Sequence, residues 1–269
     1  MTTGGADGLQ VSLDAGVLRL VLDRPDKRNA IDDAMMVGLV DAIDAANRDE
    51  AVRVIIVTGE GEDFCSGADI VDRNTPRAEE RPRVGSIQRR LPSVAHRLVP
   101  LVCSVQVPVV CGVRGYCVGL GFQLALAADF TIAAYDAVFW EPFVQRGFTP
   151  DSGATWLLPR RVGPGRAREL LLLGRRLSGS EAHDWGLVHA AVDALQVEDA
   201  VRELADELAS GPTVALGLTK WLLHEGESRA LREQLADEAL ALELSSRSDD
   251  FREGLRAFQE RRPPRFEGR

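Results

Sequence analysis

Two glycine-punctuated stretches and one aspartate carry the residue types and spacing that could do chemistry. The first stretch is Gly59-Glu60-Gly61-Glu62-Asp63-Phe64-Cys65-Ser66-Gly67-Ala68-Asp69-Ile70, which follows the apolar run Val52–Thr58. The second is Gly115-Tyr116-Cys117-Val118-Gly119-Leu120-Gly121-Phe122-Gln123, which follows Val105–Val113 and continues into the helix formers Leu124 to Ala128. Each reads as a strand, a tight turn and a helix. Such a turn presents unpaired N–H groups and the positive end of a helix dipole. Glycine there lets another group approach the backbone closely. Two such turns, around Ala68 and around Leu120, could give two backbone N–H donors to one oxygen that becomes negative during a reaction. A plain packed turn has the same pattern. Asp151, in Pro150-Asp151-Ser152-Gly153-Ala154-Thr155, is the third feature. It could serve as an acid/base, and Asp151 or Ser152 is equally suited to cap a helix.

The elements that must hold these residues alternate. Leu9–Leu13 and Val17–Leu22 predict a hairpin around Asp14-Ala15-Gly16, followed by the charged loop Asp23 to Ala30. Asp32 and Asp33 open an amphipathic helix that runs to about Asn47. Val52–Thr58 predicts a strand buried on both faces. Residues Val71 to Pro92 are Arg-rich and carry Pro76, Pro82 and Pro92, which suits a surface loop or covering flap. Helix is expected at Val94–Val102 and Gly163–Leu173, and at a capped start in Ser178-Gly179-Ser180-Glu181. Strands are expected at Val105–Val113, Phe130–Ala133, Ala137–Trp140 and Leu187–Val192. From Val197 onward the pattern is helical, broken at Gly211-Pro212. Strands and helices that alternate and then give way to helices alone make an α/β chain. The expected division is 1–196 for the core and 197–269 for a C-terminal helical region.

Composition narrows the function. A net charge of −9 argues against general nucleic-acid binding, although Arg24, Lys27 and Arg28 form a local basic cluster that could meet an anionic small molecule. No apolar run has membrane-spanning length, and Met1 to Asp7 lacks the features of a signal peptide, so a cytoplasmic protein is expected. Cys65, Cys103, Cys111 and Cys117 contain no C-x-x-C pair and read as reduced, buried thiols. His96, His183, His189 and His224 are scattered without metal-ligand spacing, and no metal site is expected. The dinucleotide fingerprint fails at both glycine stretches, because Phe64 and Leu124 stand where its third glycine belongs.

Taken together, these segments resemble the crotonase, or enoyl-CoA hydratase/isomerase, superfamily over nearly the whole chain, Leu18 to Phe266. Leu22-Asp23-Arg24-Pro25 with Asn29-Ala30 resembles the family's first loop. Phe64-Cys65-Ser66-Gly67-Ala68-Asp69 and Gly115 to Gly121 resemble its two oxyanion segments. Arg247-Ser248-Asp249-Asp250 with Glu253-Gly254 and Ala257-Phe258 resembles its C-terminal helix. The resemblance implies a spiral of ββα units with a C-terminal helical trimerisation region, assembled as a homotrimer or a dimer of trimers. It also implies an acyl-CoA substrate, with coenzyme A entering only as part of the thioester and no tightly bound cofactor. By position the oxyanion hole falls on the N–H groups of Ala68 and Leu120. Contacts to coenzyme A fall on Lys27, Arg28, Ala30, Ser66, Ala68, Asp69 and Ile70, with Phe258 and Arg261 reaching in from a neighbouring subunit.

The departures from the family pattern choose among reactions. Family hydratases carry two glutamates where this chain has Gln123 and Phe143. Neither can act as a general base near neutral pH. Glu141 lies two residues before Phe143, and a shifted alignment would restore one carboxylate. Pro150-Asp151-Ser152-Gly153 with Thr155-Trp156-Leu157-Leu158-Pro159-Arg160 resembles the ring-epoxide and enoyl isomerases of bacterial phenylacetate breakdown. Phe64-Cys65-Ser66-Gly67 with Asp72-Arg73-Asn74, and Ala182-His183-Asp184-Trp185-Gly186, point to the same branch. There the aspartate matching Asp151 is the acid/base. The expectation is therefore an enoyl-CoA isomerase that shifts a double bond, or opens a ring epoxide, through an enolate, with Gln123 orienting substrate or a water. An unperturbed aspartate titrates near about 3.9, so Phe143 and Trp140 are expected to raise it by desolvation. The alternatives are a 2-enoyl-CoA hydratase and a binding protein without turnover.

Overall fold

A computed structural model describes residues 2–3, 7–70, 83–93 and 95–269. In chain order the elements are β1 (Thr2–Thr3), β2 (Leu9–Asp14), β3 (Val17–Leu22), α1 (Asp33–Ala46), β4 (Val54–Gly59), α2 (Ser86–Arg90), α3 (Ala95–Ser104), β5 (Val109–Val113) and β6 (Tyr116–Val118). There follow α4 (Leu120–Ala127), β7 (Phe130–Ala134), β8 (Val138–Trp140), α5 (Ala154–Leu173), β9 (Arg176–Ser178), α6 (Gly179–Asp184) and β10 (Ala190–Val192). The chain ends in α7 (Val197–Ser210), α8 (Thr213–Gly226), α9 (Leu231–Ser245) and α10 (Asp249–Glu260).

One sheet has the order β1-β2-β3-β4-β5-β7-β10 and a smaller one β6-β8-β9. The hairpin β2–β3 is antiparallel, and from β3 to β10 every pairing in the large sheet is parallel. Helices therefore have to cover both faces, which is why β4 is apolar without alternation and buried at each of its residues. On one side α1 starts at an N-cap, with the Asp32 carboxylate accepting from Met35 N at 2.8 Å, and buries Met35, Met36, Leu39, Val40 and Ile43. On the other side α7 packs so closely that a Cβ on Gly112 of β5 would lie 2.9 Å from Val201 Cγ2. The region from Val197 is thus not separate from the core at its start: α7 packs on the sheet. α4 is buried on every side, as a helix apolar all round must be.

Several expectations are corrected. Tyr116–Val118 is a strand paired with β8, not only a turn, and Arg176–Ser178 is a strand the pattern did not reveal. Helix α5 begins at Ala154, with Gly163 (φ 74°) marking a break inside it. The residue at its N-cap is Gly153, one or two positions beyond the expected Asp151 or Ser152. Of the expected flap, residues 71–82, including Asp72, Arg73 and Asn74, lie outside the described residues, and Ser86–Arg90 forms a short helix. The capping box at Ser178 and Glu181 is present as expected.

Helix α8 is pinned to the core by a buried lysine. Lys220 Nζ donates to Asp129 Oδ2 at 2.7 Å and to the carbonyls of Val102 and Val107 at 2.9 and 3.2 Å. Burial lowers the Lys220 pKa, and the Asp129 carboxylate opposes that. Lys220→Ala would leave two carbonyls and a carboxylate without this donor. The expected loss is about 3 kcal/mol in urea unfolding at fixed protein concentration.

Candidate active site

The site grows from a junction between two loops. Phe64 N donates to Arg114 O, Cys65 N to Tyr116 O, and Val118 N to Cys65 O, at 2.7, 2.8 and 2.9 Å, so Phe64–Cys65 pairs along the approach to α4. Gly67 then meets the turn itself. A Cβ built on it would sit 2.9 Å from Val118 O and 3.7 Å from Leu120 N, and its φ is +99°. Only glycine fits there without displacement. On its far edge the same loop pairs with Ile31: Ile31 N donates to Gly67 O at 2.8 Å and Asp69 N to Ile31 O at 2.9 Å. That parallel bridge uses the groups on either side of Ala68, so the Ala68 N–H faces the opposite edge, away from Ile31. Leu120 is the first residue of α4, where an N–H has no intrahelical acceptor. Among the described residues neither N–H has a protein acceptor. Two adjacent free donors can stabilise an oxyanion.

Asn29 braces the junction. Fully buried in a left-handed conformation (φ 56°), it donates from Nδ2 to Glu60 O (2.9 Å) and Asp63 O (2.7 Å) and accepts from Arg24 N (2.9 Å). Asp63 Oδ1 in turn accepts from Tyr116 N at 2.8 Å. The first loop is thereby laid against the Gly67 loop. Ser66 N donates to Arg28 O and Ser66 Oγ to Lys27 O. Asp69, buried, meets Arg24 Nη2 at 3.0 Å and Lys27 Nζ at 3.3 Å. Arg28 stacks over Tyr116 at 4.6 Å and stays largely exposed. Lys27, Arg28, Ala30, Ser66, Ala68, Asp69 and Ile70 are thus gathered in one place.

Phe258 and Arg261 are not gathered there. Phe258 is 83% exposed on α10, and the tail beyond that helix is held by Arg53 Nη1 on Phe266 O, at the opposite end of β4 from Gly59.

Asp151 lies on a turn of unusual backbone, and the cavity it lines includes neither Ala68 nor Leu120. Ser152 (φ 52°) and Gly153 (φ 92°) are both left-handed, a conformation that costs energy at Ser152. The turn starts α5 from Gly153. Asp151 lines a cavity of about 520 Å³ with His96, Val99, Pro100, Trp156, Leu157 and His224. That His96 and His224 line one cavity was not legible from their spacing. Phe143 is buried, 3.8 Å from where a Cβ on Gly119 would sit, and edge-on to Phe148.

Gln123 and Glu141 are both fully buried, and Gln123 Nε2 lies 2.6 Å from Glu141 Oε1. Gln123 was expected to orient substrate or a water, but its amide is committed to Glu141. Burial pushes the Glu141 carboxyl well above the usual carboxylate range; the Gln123 bond opposes this and the negative charge of Asp151 adds to it. The thiols of Cys65 and Cys103 are pushed up to about 12 and about 11 by burial, so neither is a thiolate at neutral pH. Among the described residues no group of His, Cys, Asp and Glu could hold a metal ion, and no helix is long and apolar enough to cross a membrane.

With this geometry in place, the comparisons with known proteins carry weight. The sequence model of the enoyl-CoA hydratase/isomerase family matches residues 12–269, and the chain belongs to that family. It is 39% identical to the 1,2-epoxyphenylacetyl-CoA isomerase of Escherichia coli (strain K12), covering 96% of this chain and 97% of that protein. It is 34% identical to the crotonyl-CoA hydratase of Syntrophomonas wolfei, covering 92% and 93%. The crystal structure of an enoyl-CoA hydratase from Bacillus anthracis superposes with a TM-score of 0.89 at 32% identity, over 97% of this chain and all of that one. The two sheets and their helices are the crotonase fold.

Gly67→Ala tests the junction. The added methyl would press on Val118 O and move Ala68 away from Leu120. Turnover of an acyl-CoA substrate should fall about 100-fold, the scale of losing one oxyanion donor, with the circular dichroism spectrum unchanged.

Proposed function

We propose that the chain is an enoyl-CoA isomerase that moves a C=C bond, or opens a ring epoxide, of a CoA thioester through an enolate. In the double-bond shift the Ala68 and Leu120 N–H groups hold the thioester oxygen as it becomes negative. Asp151 takes a proton from C2 of a 3-enoyl thioester. The electron pair moves into the enolate and then back, C2–C3 becomes the double bond, and the proton returns at C4. No redox step or metal is needed. The observation that carries this reading is that Asp151 lines the cavity; by the family resemblance, Gln123 and Phe143 stand where hydratases carry glutamates. The similarity to a 1,2-epoxyphenylacetyl-CoA isomerase supports the same choice.

Lys27 and Arg28 are assigned the phosphates of coenzyme A, and the Ala30, Ser66 and Ala68–Ile70 backbone its adenine end. Phe258 and Arg261 would complete that site from a second copy of the chain in a homotrimer or dimer of trimers. Exposed Leu231, Leu235, Leu240, Leu242 and Leu244 on α9 favour such self-association.

The test is ultraviolet absorbance with a 3-enoyl-CoA. Wild type should generate the conjugated thioester band, and Asp151→Asn should slow it about 1,000-fold, within the usual worth of one positioned acid/base group. Undiminished turnover by Asp151→Asn would remove the proposal. Loss of the band from a 2-enoyl-CoA, with no growth from the 3-enoyl isomer, would give the chain to the hydratases.

A further inference from the structure

Glu141 is a buried carboxyl that the proposed reaction does not use. It sits with Gln123 behind the site, neither having accessible surface. Two of their atoms, Gln123 Oε1 and Glu141 Oε2, have no hydrogen-bond partner. A carboxylic acid and a primary amide are complementary: amide N–H to acid C=O, and acid O–H to amide C=O. Gln123 Nε2 to Glu141 Oε1 is one half of that pairing. The partnerless atoms are the acceptor and the hydroxyl oxygen of the other half, provided Glu141 holds a proton. An ionised Glu141 would instead leave two bare acceptors buried side by side, an arrangement without compensation.

The pair has leverage on the site. Glu141 directly follows Trp140, whose carbonyl accepts from Gly119 N at 3.0 Å. Gln123 is in the first turn of α4, and its N–H donates to Gly119 O at 3.0 Å. Two rungs therefore join the end of β8 to the start of α4, one on each side of Leu120. The titratable groups whose charges couple to Glu141 are Asp151 across the site and Cys117 on β6.

We propose that Glu141 is a positioning residue: a neutral acid, paired with the Gln123 amide, that fixes the direction of the Leu120 N–H and leaves Asp151 as the single negative charge at the reacting centre. This rests on the assignment of Leu120 and Asp151 above. It predicts that Glu141→Leu, close in volume but unable to pair with the amide, lowers kcat about 10- to 100-fold with KM changed less than twofold. Glu141→Gln, which preserves a neutral pair, should restore kcat to within about threefold of wild type, with the pH profile unshifted.

Infrared difference spectra, wild type minus Glu141→Gln, should show a protonated carboxyl C=O band that persists at pH 8. A Glu141→Gln enzyme as slow as Glu141→Leu, or a carboxylate band in place of the acid band, would overturn the proposal, as would full activity of Glu141→Leu. Asp151→Asn measured alongside separates the two claims. Activity in that variant defeats the assignment of Asp151 while the infrared band still decides the charge of Glu141.

Discussion

The close approach of Gly67 to the Val118–Leu120 turn is the constraint on which the rest of the structure depends. Two backbone N–H groups from segments some fifty residues apart can share one oxygen only if the two loops touch with no side chain between them. Gly67 removes the side chain. Asn29 and Asp63 hold the loops at that distance, one through three hydrogen bonds from inside the fold and the other through Tyr116 N. Gly115 belongs to the same brace, since a Cβ there would run into Asp63. Two strands, β4 and β5, deliver both loops to the same end of the sheet, because in a parallel sheet the carboxyl ends of neighbouring strands lie side by side.

Around that contact the charges are arranged economically. The loop that binds the proposed phosphates has Arg24 and Lys27 drawn onto the buried Asp69, and Arg28 left largely exposed. On the other side the helix that begins at Leu120 is wholly buried, and the one polar side chain it contributes, Gln123, is neutral. Phe143 packs beside Gly119. Dry surroundings strengthen the pull of two N–H dipoles on a developing oxyanion and make any second negative charge expensive. On the proposed reading, Asp151 serves the transfer of one proton out and back.

Much of this was legible in residue types. The glycine stretches, the apolar run of β4 and the capping box at Ser178 depend on local chemistry, and the structure places them where the sequence does. Asp151 stood out for the same reason, but the N-cap position falls on Gly153, after the left-handed Ser152. A positive φ at a non-glycine residue leaves no mark in composition. The Asn29–Asp63 brace was also invisible: its partners lie 34 residues apart, and an asparagine in a charged loop reads as a turn former. The short strands β6 and β9 escaped because three residues give no period to detect. Gln123 and Glu141 were each noticed, yet only the fold shows that they face one another.

The most direct measurement is the exchange of C2 protons of a saturated acyl-CoA in D2O, followed by NMR. It asks only for enolate formation and reversal, without a double bond to move or a water to add. Wild-type protein should wash deuterium into C2, and both Asp151→Asn and Gly67→Ala should suppress it, the first by removing the base and the second by separating the donors. Wild-type protein that turns over an enoyl-CoA yet exchanges no C2 proton, or an Asp151→Asn variant that exchanges as fast as wild type, would contradict an enolate made by these two N–H groups and this carboxylate.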